Sequence, residues 1–155
     1  MPKLYMLIGV PGAGKSTWLA QQPFDWNRTV ILSTDAIIER RAAAQGKTYD
    51  QVFRKEIKSA TTEMYQMLAD AVSQGADLIW DQTNVVAAAR AKKLAMVPDS
   101  YERVAVMFRT PDRAEHARRL ASRVGKTIPA NVIAGMKSQL EPPTEAEGFD
   151  QIITV

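Results

Sequence analysis

The chain has 155 residues, 46% of them hydrophobic and 24% charged, with a formal net charge of +3. That length suits one domain with a sizeable core and is short for two, so a single domain over residues 1–155 is expected. The lack of cysteine excludes a disulfide framework and thiolate metal sites, and fits a cytoplasmic setting. No stretch approaches the roughly 20 apolar residues of a membrane span, and KLYMLIGV is too short an apolar run for a secretory signal.

In chain order, KLYMLIGV reads as the first strand and leads into GVPGAGKST. A helix is expected to start near Lys15. TVILS reads as the second strand. One or two helices follow from Asp35 to Gln74, interrupted around Gly46, Lys47 and Thr48, with Met64, Leu68, Ala71 and Val72 at helical spacing and Gly75 as the stop. DLIWD is the third strand. Val86 to Met96 reads as a helix ending before Pro98. RVAVMF is the fourth strand, followed by helices over about 112–124 and 129–140, each with a proline where helix starts tolerate one (Pro111, Pro129). RVGKTIP, between these two, reads as a mobile connection. EPPTEAEGFD reads as a loop into the last strand, QIITV. Strands alternating with helices predict an α/β fold: a parallel sheet of about five strands with helices on both faces.

Gly9, Gly14, Lys15 and Ser16 fill every fixed position of G-x-x-x-x-G-K-[ST], with a strand before and a helix after. Glycines let backbone N–H groups curl around an anion, and the helix N-terminus adds its dipole. Gly12, Ala13 and Thr17 belong to the same cradle. Lys15 can reach β- and γ-phosphates, and the Ser16 hydroxyl can ligate Mg²⁺. The loop therefore predicts a P-loop NTPase-type fold with a nucleoside triphosphate such as ATP, but not what becomes of the phosphate.

Sites on open parallel sheets lie at the C-terminal ends of the strands. Asp35 ends TVILSTD and Asp81 ends DLIWD, so both are expected to face the loop. Asp35 is the candidate general base, with a helix N-cap as its alternative role. Asp81, with Thr83 and Asn84 beside it, either holds Mg²⁺ through water or organises the loop by hydrogen bonds. Residues 85–140 hold eleven of the twenty Lys and Arg but only four of the seventeen acids. A basic half facing a polyanion and ordinary solvated helix faces both fit this. Arg118, Arg119 and Arg123 lie on or just after one helix of a basic lid over about 112–140, which could bring a guanidinium onto the transferring phosphoryl group. His116 is expected at the surface, and Trp80, Met64 and Met67 in the core.

Five stretches resemble the P-loop polynucleotide 5′-hydroxyl kinases, the kinase module of phage-type and DNA-repair end-healing enzymes. GVPGAGKSTW looks like their phosphate loop. STD places Asp35 at the position of their general base. WDQTN followed by Arg90 looks like their D-x-T-N segment trailed by arginine. The lid SRVGKTIPANVIAGM places Arg123 six residues before Pro129, the spacing of the family's nucleotide-contacting arginine, and EPPTEAEGFDQIITV is similar to the end of the repair kinases' catalytic module. The resemblance implies ATP, Mg²⁺ and transfer to the 5′ ends of DNA or RNA. It implies Lys15, Asp35 and Arg123 as catalytic residues, with Arg119 also on the nucleotide. Asp35, Arg40, Arg41, Asp81, Thr83, Asn84 and Arg90 would lie along the substrate. Two features depart from it: Ile38 stands where the phage-type motif has an arginine, and no phosphatase motif is present. A P-loop kinase of a small hydroxyl compound and a nucleotide-binding switch are the alternative readings.

Overall fold

A computed structural model describes residues 1–155. Five strands form one parallel sheet in the order β2-β3-β1-β4-β5: β1 (Lys3–Ile8), β2 (Thr29–Leu32), β3 (Asp77–Trp80), β4 (Glu102–Met107) and β5 (Gln151–Thr154). The chain moves from β1 outward to β2 and returns through β3, then leaves on the other side through β4 to β5. The strand order therefore reverses at β1, and the loop after β1 opens into the crevice that results.

Side-chain alternation along the central strand builds two cores. Leu4, Met6 and Ile8 face one layer with α2 (Thr34–Ala44), α3 (Tyr49–Ser73) and α4 (Ala87–Leu94). Leu7 and Val10 face the other with α1 (Lys15–Gln21) and α6 (Ala130–Gln139), where Leu19 is buried and Met136 packs in. Helices thus cover both faces, as the alternating pattern requires for a sheet buried on both sides. Trp80, Met64 and Ile38 are buried in the first core, and Met67 packs against it. No helix is long and apolar enough to cross a membrane.

Local chemistry sets the element ends that matter for the site. Ser33, not Asp35, caps α2: its hydroxyl accepts from the Ala36 N–H at 3.1 Å. Asp35 sits one residue inside the first turn, where its charge also suits the helix dipole. The interruption at Gly46–Thr48 is the turn between α2 and α3, and Thr48 with Gln51 forms a capping box that starts α3. The predicted helix over 112–124 is α5 (Arg113–Ala121), which stops three residues early. The loop over 141–150 contains a single 3₁₀ turn, Glu145–Glu147.

Candidate active site

The loop from Gly9 to Ser16 joins β1 to α1. Gly14 lies at φ 103°, a left-handed conformation that side-chain-bearing residues rarely adopt, and it turns the chain into the helix. The Gly9 N–H donates to the Thr83 carbonyl at 2.9 Å, tying the loop to the end of β3. The Lys15 ammonium donates to the carbonyls of Gly9 at 2.7 Å and Val10 at 3.1 Å. Burial lowers the Lys15 pKa to about 8, although the nearby Asp81 and Asp35 carboxylates pull it upward. A triphosphate would add negative charge beside this part-buried ammonium, so Lys15 fits such a ligand.

Three adjoining cavities meet at Ser16 and Arg123. One of about 480 Å³ runs over the loop and α1 to Phe108, Arg119 and Val155. A second, about 220 Å³, is lined by Lys15, Asp35, Asp81, Thr83 and Lys126 as well. A third, about 520 Å³, extends along the α2–α3 corner past Glu39, Lys47, Tyr49 and Lys126. The Asp81 carboxylate has no hydrogen-bond or ion-pair partner, and burial raises its pKa against the pull of Lys15. A half-buried carboxylate left open beside a phosphate loop fits a cation, whose charge would favour the ionised form. Asp35 accepts from the Tyr49 hydroxyl on Oδ1 at 2.7 Å and from the Lys126 ammonium on Oδ2 at 3.0 Å. Burial, and then the bond to Asp35, push the Tyr49 phenol well above its usual range, so it stays a donor.

Lid arginines differ in their commitments. Arg118 and Arg119 both pair with Glu115, and Arg119 also donates to the Gly12 carbonyl at 3.2 Å. Arg123 has no carboxylate partner and lines all three cavities. It lines the same cavities as Lys15 and Ser16.

Several expected positions need correction. Arg90 is fully buried, paired with Glu147 at 2.7 Å and donating to the Asn84 carbonyl at 2.9 Å, so it does not reach the cleft. Asn84 is buried too, holding a left-handed φ of 48° and donating to the Leu7 carbonyl at 2.8 Å. These two residues brace the loop after β3. Arg40 and Arg41 turn to α3, pairing with Glu63 and, for Arg41, Glu56, and so tie the α2–α3 hairpin together. His116 is not on the surface: it is 1% exposed and its Nε2–H donates to the Pro11 carbonyl at 2.6 Å. The connection RVGKTIP is docked rather than loose. The Thr127 N–H donates to the Asp50 carboxylate at 2.8 Å, and the Asp50 N–H to the Gly125 carbonyl at 2.9 Å. Lys126 and His116 were not expected at the site. No motif spacing points to them, because each depends on how the lid or α3 docks.

The reversing parallel sheet and the phosphate loop define a P-loop NTPase-type fold. Residues 4–143 match the family model described as an AAA domain, and the chain belongs to that family. A chain of the Pnkp1/Rnl/Hen1 RNA repair complex is 21% identical with a TM-score of 0.68, matching 90% of this chain and 44% of that one. This chain therefore spans less than half the length of that relative. A candidate kinase from Chloroflexus aurantiacus J-10-fl is also 21% identical at a TM-score of 0.68, over 99% of this chain and 84% of that one. A gluconokinase from Sinorhizobium meliloti 1021 is 17% identical at a TM-score of 0.51, over 99% and 82%. At such identities these structures share the fold with this chain.

Proposed function

We propose that the chain transfers the γ-phosphoryl group of ATP to the 5′-hydroxyl end of DNA or RNA. One observation carries the reading. A single cleft brings together Lys15 and Ser16 on the loop, the partnerless Asp81, the carboxylate of Asp35 and the unpaired guanidinium of Arg123. Lys15 would turn from its own carbonyls to the β- and γ-phosphates. The Ser16 hydroxyl, and Asp81 through water, would hold Mg²⁺, which when bound neutralises charge on the phosphate oxygens. The acceptor oxygen bonds to the γ-phosphorus while the bond to the β,γ-bridging oxygen breaks, and Asp35 takes the hydroxyl proton. Arg123 meets the charge that develops on the transferring group.

A polymer end is favoured by the adjoining cavity of about 520 Å³, which prolongs the acceptor side and carries Lys47 and Lys126 on its walls. The similarity of the lid to polynucleotide kinases, and the fold shared with a chain of an RNA repair complex, point the same way. The second reading is a kinase of a small hydroxyl compound. It is supported by the internal ion pairs of Arg40, Arg41 and Arg90, which leave fewer cations for a polyanion, and by the fold shared with a gluconokinase. Labelled ATP offered with a 5′-hydroxyl oligonucleotide, with gluconate and with water separates these readings and the acceptor-free switch. Label on the oligonucleotide is the expected result. Oligonucleotide affinity should also fall with salt, by a slope of about −0.7 in log–log form for each phosphate neutralised.

A further inference from the structure

The ammonium of Lys126 occupies the acceptor side of the cleft. It donates to Asp35 Oδ2 at 3.0 Å and Glu39 Oε1 at 2.9 Å, and lies 4.6 Å from the centroid of the Tyr49 ring. Its side chain is only 15% exposed, whereas those of Asp35 and Glu39 are half exposed. The backbone on both sides of it is pinned to the start of α3. Asp50 accepts from the Thr127 N–H with both carboxylate oxygens, at 3.0 and 2.8 Å, and its own N–H donates to the Gly125 carbonyl. Gly125 holds φ 71°, and a Cβ there would lie 2.7 Å from Thr48 Cβ, so only glycine lets the lid approach this closely. Lys126 is therefore held by a built contact and is not a loose surface charge.

This has a chemical consequence. Tyr49 takes one oxygen of Asp35 and Lys126 the other. A general base needs an oxygen within hydrogen-bond reach of the proton it removes. Asp35 is exposed enough for water to reach it, and water is the competing acceptor in every phosphoryl transfer from ATP. We infer that Lys126, held there by Asp50, is a positioning residue that restrains Asp35 from activating water by engaging Oδ2 beside the Tyr49 bond to Oδ1. The step held back is hydrolysis. A water oxygen bonds to the γ-phosphorus, the bond to the β,γ-bridging oxygen breaks to release ADP, and the water proton passes to Asp35. The inference rests on Asp35 being the base, but not on the identity of the acceptor.

The test is ADP release from ATP–Mg²⁺ by the full chain with no acceptor present. Lys126→Met should raise it by about tenfold or more, a part of the roughly 10²–10⁴ that general base catalysis is worth. Asp50→Ala should raise it as well, with the lysine still in place, because the latch is gone. Lys126→Arg should keep most of the suppression, and adding Asp35→Asn to Lys126→Met should abolish the rise. Thermal melts of each variant show whether it is folded. Hydrolysis unchanged or lowered in both Lys126→Met and Asp50→Ala overturns the inference, as does a rise that persists without the Asp35 carboxylate. Failure to label an oligonucleotide would remove the polynucleotide reading and leave this comparison intact.

Discussion

The Nε2–H of His116 donates to the carbonyl of Pro11 at 2.6 Å, joining the lid helix α5 to the middle of the phosphate loop. The ring fills the space beside Gly12, where an added Cβ would lie 3.2 Å from it. Its Nδ1 is buried without a partner. Lid and loop are thus one packed unit on this side. His116→Ala should leave the Pro11 carbonyl unpaired and open a void, destabilising the fold by about 1–3 kcal/mol for the buried bond alone. Because the loop loses its support, the KM for ATP should rise as well. Urea denaturation with steady-state kinetics checks both. Unchanged stability would mean that neither the bond nor the packing of the ring supports the fold.

Lys15 and Asp35 should fail in different ways. Lys15→Ala removes the charge placed for the phosphates and should weaken nucleotide binding and abolish transfer. Asp35→Asn keeps the shape and the bond from Tyr49, so nucleotide affinity should hold while transfer falls by about 10²-fold or more. Titration calorimetry with a non-hydrolysable ATP analogue, set beside single-turnover transfer, separates the two. Near-normal turnover in Asp35→Asn would withdraw the base assignment.

The fold was legible because the signals for it are local. Apolar runs marked the strands, the glycine-rich loop marked the first crossover, and Gly75 marked the end of α3. Asp35 and Asp81 were legible as residues facing the loop, since strand ends in a parallel sheet point one way. The internal ion pairs of Arg40, Arg41 and Arg90 were not legible. Arg90 follows its motif at the familiar spacing, yet its partner Glu147 comes 57 residues later in a loop with no pattern of its own. Arg41 meets Glu56 and Glu63 only once α2 and α3 fold into a hairpin. A cation's partner is a tertiary fact, and the same guanidinium serves a substrate or a carboxylate depending on it. His116 was misread for the same reason: its charged neighbours face solvent while its own side of α5 faces the loop.

Lys93 gives the stability a specific pH dependence. Burial lowers its pKa to about 8 from the ordinary 10.5. In the fold it loses its proton near pH 8, and in the unfolded chain only near 10.5. Between those values the unfolded chain binds more protons, so stability rises with pH through that window and levels off above it. Below pH 8 the lysine is charged in both states, and the cost of burying that charge is fully present. Urea midpoints measured from pH 7 to 11 should therefore show a rise that is reduced in Lys93→Met. Part of it should remain, because burial lowers Lys15 to about 8 as well. An identical pH profile in the variant would show that Lys93 is solvated in the fold.

Arg123 and Arg119 supply the sharpest test of the lid. Arg119 is held by Glu115 at 2.9 Å and by the Gly12 carbonyl, so part of its charge is already spent on the lid–loop contact. Arg123 has no such partner and stands where the three cavities meet. A guanidinium free of internal partners can follow the phosphoryl group as charge develops on it, and such contacts count more in the transition state than in the ground state. Arg123→Ala should lower kcat by roughly 10²-fold, the loss expected for one charge-stabilising donor, with little change in ATP affinity. Arg123→Lys should recover only part, because a point charge does not reproduce the planar fork. Arg119→Ala should act mainly on the KM for ATP through the loop, with a smaller effect on kcat. The measurement is steady-state transfer for all three variants, with thermal melts to confirm folding. A crippled Arg119→Ala beside an active Arg123→Ala would reverse the two roles and remove the lid spacing as support for a polynucleotide acceptor.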